Sequence, residues 1–524
     1  MRYVYNRRAA LLSLIPALAL LLGNSPQAQN ASSELQLAID AANAMGGAER
    51  IQAVRTLRLR GYGQEAYQDG GSKITTEASA PEKMTNLTAY ERQIDLSGDR
   101  TRVSARAYRT FVFASESMMR GQPREQSLDG TVAYDGDRRQ SDEVAMRRRM
   151  ELLANPLMAV SAALAPQSTL SRRRYLGDKS LVDVETIDGA RFTLAIDDTT
   201  HLPAWIRWVA PHENLGEVWL TAAFSGYAPV DGILLPMSFN TVSDFKDTVM
   251  LRLHVDRYEL NGPIEDLAAP RQVRAAAAPI PAFSASAEPV APGVWLITGT
   301  GANSVLLEFE DHLTLFEVPG NRGWTRAIIE EARRTVPIKP LTQAIISHHH
   351  FDHTGGLRTA IAEGLTIITQ SGNVEWFEEL ARRPVTHYPD ALSRNPRPLR
   401  TMAVDDHLRL SDAALTVDVY RMVSNGHMAH GLMAHLPGQR LLLQGDLFDL
   451  NWQVYFWGDT YEDNIAHRGI EVERDVPVHG QVLPIADVRR HLAEQKASAR
   501  ALCDQVASAE LSMPGCPLAW DERD

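Results

Sequence analysis

The chain has 524 residues, 44% hydrophobic and 23% charged, a balance that excludes a largely disordered polypeptide and predicts two or more folded domains. Its formal net charge is −12, and loss of the three positive charges of Arg2, Arg7 and Arg8 with a cleaved leader would take it to −15. That sign argues against a partner recognised through a nucleic-acid backbone, although not against a local basic pocket.

Residues 2–8 carry three arginines, Ala9 to Gly23 is apolar apart from Ser13 and Pro16, and small or polar residues follow. The apolar core is shorter than the ~20 residues of a membrane-spanning helix, so residues 1–33 read as a secretory signal. Cleavage is expected between Asn24 and Ser33, leaving a periplasmic or secreted protein with no stable membrane anchor. Cys503 and Cys516 are the only cysteines; in that oxidising compartment they are expected to pair, far in sequence from the metal-ligating residues described below.

Leu35 to Thr56 has a helical pattern broken by Gly46-Gly47. The period then shortens to two. Leu57 to Gly63, Thr101 to Phe113, Arg191 to Ile196, Ala204 to Val209, Glu217 to Phe224 and Val249 to Tyr258 are strand candidates, and Tyr227 to Pro236 is a strand, turn and strand. Met146 to Ala165 looks helical, with Pro156 expected to kink or split it. Residues 34–260 are therefore expected to form an α+β domain on an antiparallel sheet. Residues 261–291, rich in Ala and Pro, are expected to be a linker to a second domain at 292–524.

In that second part Val294 to Thr298, Ser304 to Phe309, Leu313 to Val318 and Leu341 to Ile346 read as strands, and Trp324 to Thr335 as a helix. A helix near Gly356 to Glu363, a strand at Leu365 to Thr369 and a helix at Gly372 to Arg382 continue the α/β alternation. Arg383 to Thr401, with four prolines, is expected to be a surface loop, followed by strands near His407 to Leu410, Leu415 to Arg421, Gly431 to Leu436 and Arg440 to Leu443.

The strand ending at Ile346 runs into Ser347-His348-His349-His350-Phe351-Asp352-His353-Thr354-Gly355-Gly356. His348, His350, Asp352 and His353 place four metal-ligand types within six residues on a strand-to-helix loop, a set suited to zinc or iron rather than calcium or magnesium. Three later segments offer more: His427 precedes a strand, Asp446 follows one, and His479 stands at the end of another.

At this point the chain resembles the metallo-β-lactamase superfamily, whose HxHxDH motif is matched by His348, His350, Asp352 and His353, with the later His, Asp and His in matching order; the resemblance covers roughly Pro289 to Lys496. It implies an αββα catalytic fold holding two zinc ions, with iron or manganese as alternatives. His348, His350 and His427 would bind the first ion, Asp352, His353 and His479 the second, and Asp446 would bridge them. His430 and His435 remain rivals for His427, and His349 is expected to stay out of contact with metal. Glu317 stands where many members have Asp; it either orients a ligand or is a solvated loop carboxylate.

Two cations lower the pKa of a shared water, which makes a metal-dependent hydrolase the expected activity, with Asp352 also steering the water's proton. A bridging Asp446 is typical of the superfamily's thioesterases, lactonases and phosphodiesterases rather than its true β-lactamases, so an ester, lactone or related acyl compound is the expected small-molecule substrate. The aromatic stretch Asn451 to Trp457 either walls an apolar pocket or packs a domain interface. An iron-dependent oxygenase of the superfamily and a metal-dependent periplasmic binding protein are the alternatives.

Overall fold

The computed structural model describes residues 32–67, 73, 75–77, 79–109, 121–299, 301–451, 458–509 and 516. The leader expected over 1–33 thus lies almost wholly outside the described residues, as do residues 110–113 of the strand expected over Thr101 to Phe113 and all the aromatics of 451–457. No helix among the described residues is long and apolar enough to cross a membrane.

The described chain opens with helix Ser33–Met45, capped by the Ser32 hydroxyl accepting from the Leu35 N–H. Gly46 and Gly47, both at positive φ, end it before the short helix Ala48–Ala53. The chain then builds a thirteen-stranded sheet in which the first strand, Thr56–Ala66, pairs antiparallel with the last, Val249–Leu260, at the centre. Two meanders are zipped together along that seam. Pro156 does split the expected helix, into Asp142–Leu153 and Pro156–Leu164; Asn155 caps the second, and proline at its first position sacrifices no hydrogen bond. These helices cover one face of the sheet, burying Ala41, Met45, Leu153 and Leu157 against Leu57, Ile94, Ile206 and Val255.

Strands Met84–Asp95, Gln122–Asp129, Val132–Asp135, Thr169–Leu176 and Lys179–Glu185 were not expected from the sequence. Thr169–Leu176 shows why: it is a largely exposed edge strand with three arginines in a row, and its neighbour's backbone, not its own pattern, makes it extended.

The Ala/Pro-rich stretch 261–291 is structured at both ends, which corrects the expected linker. Its start packs on the sheet domain, where the Glu265 N–H donates to Gln93, the Tyr134 hydroxyl donates to the Leu267 carbonyl, and helix Arg271–Ala275 buries Val273. Its end, Ala285–Ala291, is an edge strand paired with Val294–Gly299, and Pro289 is tolerated because an edge leaves one side of the backbone without a ladder. The exposed connection shrinks to 276–284.

The second domain stacks two sheets. One has the order Ala285–Ala291, Val294–Gly299, Ser304–Glu308, Leu313–Phe316, Leu341–Ile345, Thr366–Gln370, Arg400–Val404, antiparallel at first and parallel from Leu313–Phe316 onward. Arg400–Val404 thus takes the end of the expected proline-rich loop into the sheet. The other runs His407–Ser411, Thr416–Arg421, Leu432–Leu436, Leu441–Gln444, Arg474–Pro477, Leu483–Pro484. Val305, Phe316, Ile345, Val417, Leu443 and Val476 fill the space between them. Helices Arg322–Thr335, Leu357–Ala362 and Val374–Arg382 cover the first sheet, and Asp459–Arg468 with Ile485–Ser508 the second, giving αββα layers. Strands buried on both faces explain the near-continuous apolar runs around the His cluster. A Cys503–Cys516 disulfide ties residue 516 back to the last helix.

The two domains share a core: Leu215, Val218 and Phe245 of the large sheet pack with Phe351, Trp376 and Leu380. Glu217, buried, accepts hydrogen bonds from the backbone N–H groups of Thr386, His387 and Tyr388. Burial pushes its carboxyl up, but His387 and those N–H groups outweigh it and hold the group below its ordinary value. Limited proteolysis is therefore expected to cut within 276–284, with the two fragments still eluting together by size exclusion. Fragments that separate without denaturant would contradict the shared core.

Candidate metal centre

Strand Leu341–Ile345 delivers the His cluster. The Ile346 N–H still donates to the Ile368 carbonyl, and the chain then leaves the sheet, with His350 capping the one-turn helix Phe351–Thr354. Two glycines let other loops approach. A Cβ on Gly355 would lie 1.7 Å from the Gly320 carbonyl oxygen, and one on Gly445 would lie 2.5 Å from Ser347 Oγ. The glycine after the HxHxDH motif is thus needed because a neighbouring backbone occupies the space of a side chain.

The structure brings together all seven residues singled out in the sequence. His348, His350, His427 and Asp446 form one group of donor atoms, and Asp352, His353, His479 and Asp446 another, with the atoms of each group within 4.8 Å of one another. Asp446 turns one oxygen to each group. Its Oδ2 lies 2.7 Å from His427 Nε2 and 3.7 Å from His348 Nε2, while its Oδ1 lies 3.1 Å from His353 Nε2 and 3.3 Å from His479 Nε2. His479 Nε2 is 3.4 Å from His353 Nε2 and 3.5 Å from Asp352 Oδ2. Donors placed ~2 Å from a common zinc ion at the corners of a tetrahedron stand roughly 3.3 Å apart, so these separations fit a metal. The chemistry fits too: among the described residues the buried His348 Nε2 and Asp352 Oδ1 have no hydrogen-bond partner, a costly arrangement unless a cation takes their lone pairs.

The surrounding groups orient these donors. Ser347 Oγ lies 2.8 Å from His348 Nδ1, which leaves Nε2 for the site. Glu317 is fully buried and is not a solvated loop carboxylate. Its Oε1 accepts the Ser347 N–H at 3.0 Å and lies 3.3 Å from His353 Nδ1. It does so at φ 76°, a conformation costing a non-glycine residue ~1–3 kcal/mol. Gln444 shapes the Asp446 turn: its Oε1 accepts the N–H groups of Leu447 and Phe448, and its Nε2 donates to Asp475. Asn303 Nδ2 donates to the Pro477 and Gly480 carbonyls on either side of His479. Asn303, Gln444 and Asp475 escaped sequence reasoning; the signal available was a polar residue beside an otherwise apolar strand.

Protonation follows burial and charge. Burial opposes a proton on His353, but Asp446, Asp352 and Glu317 outweigh it and hold that imidazole well above its ordinary value. Burial, with the charge of His353 adding to it, pushes His348 well below. Burial and then Lys83, a buried lysine of the first domain, push His349 down to about 3.

The rivals fall outside both donor groups. His430 lies 3.9 Å from Glu77 at the rim, and His435 Nε2 is 2.9 Å from the Glu471 carbonyl oxygen. His349 packs edge-on against Trp376.

Residues 297–449 match the family model described as the Metallo-beta-lactamase superfamily, and this part of the chain is a metallo-β-lactamase-fold domain. The match contains six of the seven residues; His479 lies beyond its end. Among solved structures, a metallo-beta-lactamase from Pontibacter korlensis is 16% identical over 40% of this chain and 99% of its own, with a TM-score of 0.32. A metallo-beta-lactamase from Hirschia baltica is 14% identical over 41% and 98%, with a TM-score of 0.31, and TMB-1 is 17% identical over 43% and 100%, with a TM-score of 0.32. Comparison with curated proteins finds no match.

Asp446→Ala is expected to cost more bound metal than His349→Ala; equal losses by metal analysis would show that the bridging role is misassigned. Asp475 gives a pH test. Burial raises its carboxyl from 3.8 to about 7, against the hydrogen bonds of Gln444 and Tyr461. Through that interval the unfolded chain ionises while the folded carboxyl keeps its proton, so stability falls as pH climbs from about 4 to about 7 and levels off above it. Apart from a constant offset, the melting temperature of Asp475→Asn should gain on the wild type over this window and level off above it; parallel curves would refute the buried ionisation.

Proposed function

We propose that the protein is an exported dinuclear-zinc hydrolase acting on an ester, lactone or related acyl substrate. The observation that carries this reading is Asp446, with one oxygen directed at His348 and His427 and the other at His353 and His479. A carboxylate shared in this way would hold two cations side by side and offset their repulsion. Two bound zinc ions supply a Lewis acid and bring the pKa of water towards neutrality. Asp352 holds one donor position and, being partly exposed, faces the side from which substrate arrives, where its oxygen can take a proton from water and pass it on. Glu317 and Ser347 keep the His353 and His348 rings turned inward, so little reorganisation accompanies the reaction. Export is supported by the arginine-flanked apolar run at the N-terminus and by the disulfide.

Imidazole and carboxylate donors also suit iron, which makes an oxygenase the competing reading. Metal analysis of protein purified without added metal, followed by ester, lactone, thioester, phosphodiester and β-lactam assays, is expected to show two zinc ions per chain and turnover within the acyl classes. Iron with substrate-dependent oxygen uptake would establish the oxygenase. Full metal loading with no turnover of any substrate would sink the hydrolase.

A further inference from the structure

Asp352 and His353 stand on a helix of one turn, Phe351–Thr354, and His350 is its cap. A single turn is too short to hold itself, since nucleation fixes several residues for one hydrogen bond, and its last carbonyls have no partner within it. Part of the support comes from the catalytic domain: the Gly320 N–H donates to the Asp352 carbonyl at 2.6 Å, and the Gly356 N–H to the Val318 carbonyl at 3.0 Å. The other side is held by the first domain.

There, residues 213–215 turn the chain from strand Pro203–His212 into Gly216–Val230. His212 Nδ1 accepts the N–H groups of Asn214 and Leu215, and burial keeps the ring neutral, pushing it down to about 4. The turn so shaped puts the buried Asn214 amide against the metal loop. Its Nδ2 donates to the Phe351 carbonyl at 2.7 Å and to Thr354 Oγ1 at 3.1 Å, and Thr354 Oγ1 donates in turn to the His350 carbonyl at 2.9 Å. The His212 ring stands edge-on to Phe351, 5.1 Å between centroids. Gly216 is at φ +76°, and a Cβ there would lie 2.4 Å from Val385, so the absence of a side chain lets the turn sit directly against the catalytic domain.

We infer that Asn214 is a positioning residue of the metal centre, through which the large N-terminal sheet holds the helix bearing Asp352 and His353. The inference rests on the metal-binding part of the proposed function and not on the substrate. One amide satisfies the Phe351 carbonyl and, through Thr354, fixes the His350 carbonyl, so residues contributing to both donor groups are tied to one side chain of the other domain. The second domain by itself would keep all seven donors and lose this support.

The test uses the full chain. Zinc affinity is measured by competition with a chromophoric chelator for the wild type, Asn214→Ala, Asn214→Asp and Lys246→Ala, and amide hydrogen exchange is followed on the metal-free proteins. Lys246, ion-paired with Glu379 at 2.8 Å, is an interface control away from the metal loop. Asn214→Ala is expected to weaken zinc binding about tenfold or more, and the near-isosteric Asn214→Asp comparably, because a carboxylate cannot donate to the Phe351 carbonyl. Faster exchange at the His353 and Thr354 amides is expected in both variants, and Lys246→Ala should match the wild type in both measurements. Wild-type affinity in both Asn214 variants, or an equal loss in Lys246→Ala, would overturn the inference. If the wild type itself bound no zinc, the metallohydrolase reading would fall, while unchanged exchange at those amides would separately overturn the role of Asn214. If Asn214→Ala does not fold, Asn214→Asp decides.

Discussion

Everything in the second domain serves one electrostatic constraint: five imidazoles and two carboxylates converge where water is largely excluded. Such a cluster is costly in a bare protein, because burial penalises every charged form and the groups cannot all be satisfied by one another. In the metal-free chain the conflict shows directly. His353 is driven to keep a proton by three carboxylates, while His348, beside it, is driven to lose one. Bound cations would meet both demands, accepting the lone pairs of the imidazoles and offsetting the charge of Asp446 and Asp352.

Meeting that constraint requires rigid delivery. The donors stand at strand ends, in turns or on the one-turn helix, and polar side chains hold the chain beside them: the buried Ser347 and Glu317 beside the His cluster, the half-buried Asn425 accepting the His427 N–H, the buried Gln444 under Asp446, and the buried Asn303 around His479. These groups satisfy backbone atoms that would otherwise be stranded where a strand stops, and in doing so they fix where the ligands point. Gln444 extends the arrangement to Asp475 and Tyr461 in the layer beneath.

The first domain enters the same logic from outside. Its central seam between Thr56–Ala66 and Val249–Leu260 closes two meanders into one sheet, and the hairpin containing residues 212–216 meets the catalytic domain beside the one-turn helix. Burial of Leu215, Val218 and Phe245 supplies non-directional attraction, whereas Glu217 in its three N–H groups and Asn214 on the Phe351 carbonyl set the register of the contact. A contact of this kind makes the large sheet part of the support of the site.

The sequence by itself determined the cluster of metal-ligand types from His348 to His353 and the layering around it, because both are local. His348 to His353 lie within six residues, and strands buried on two faces write themselves as apolar runs. It also showed that Pro156 would kink or split a helix and that Glu317 was a candidate for orienting a ligand. Only the tertiary structure decided which histidine joins Asp446, since His427 and His430 differ by three residues in a loop whose path depends on Asn425 and on the packing of His430 against Gly372. It alone showed that Ala285–Ala291 is a strand, as an edge needs only a neighbour's backbone, and that Asn214 reaches the metal loop across 137 residues of sequence. Hydrogen bonds between distant residues leave no periodicity and no spacing to read; they exist only once the two domains have met.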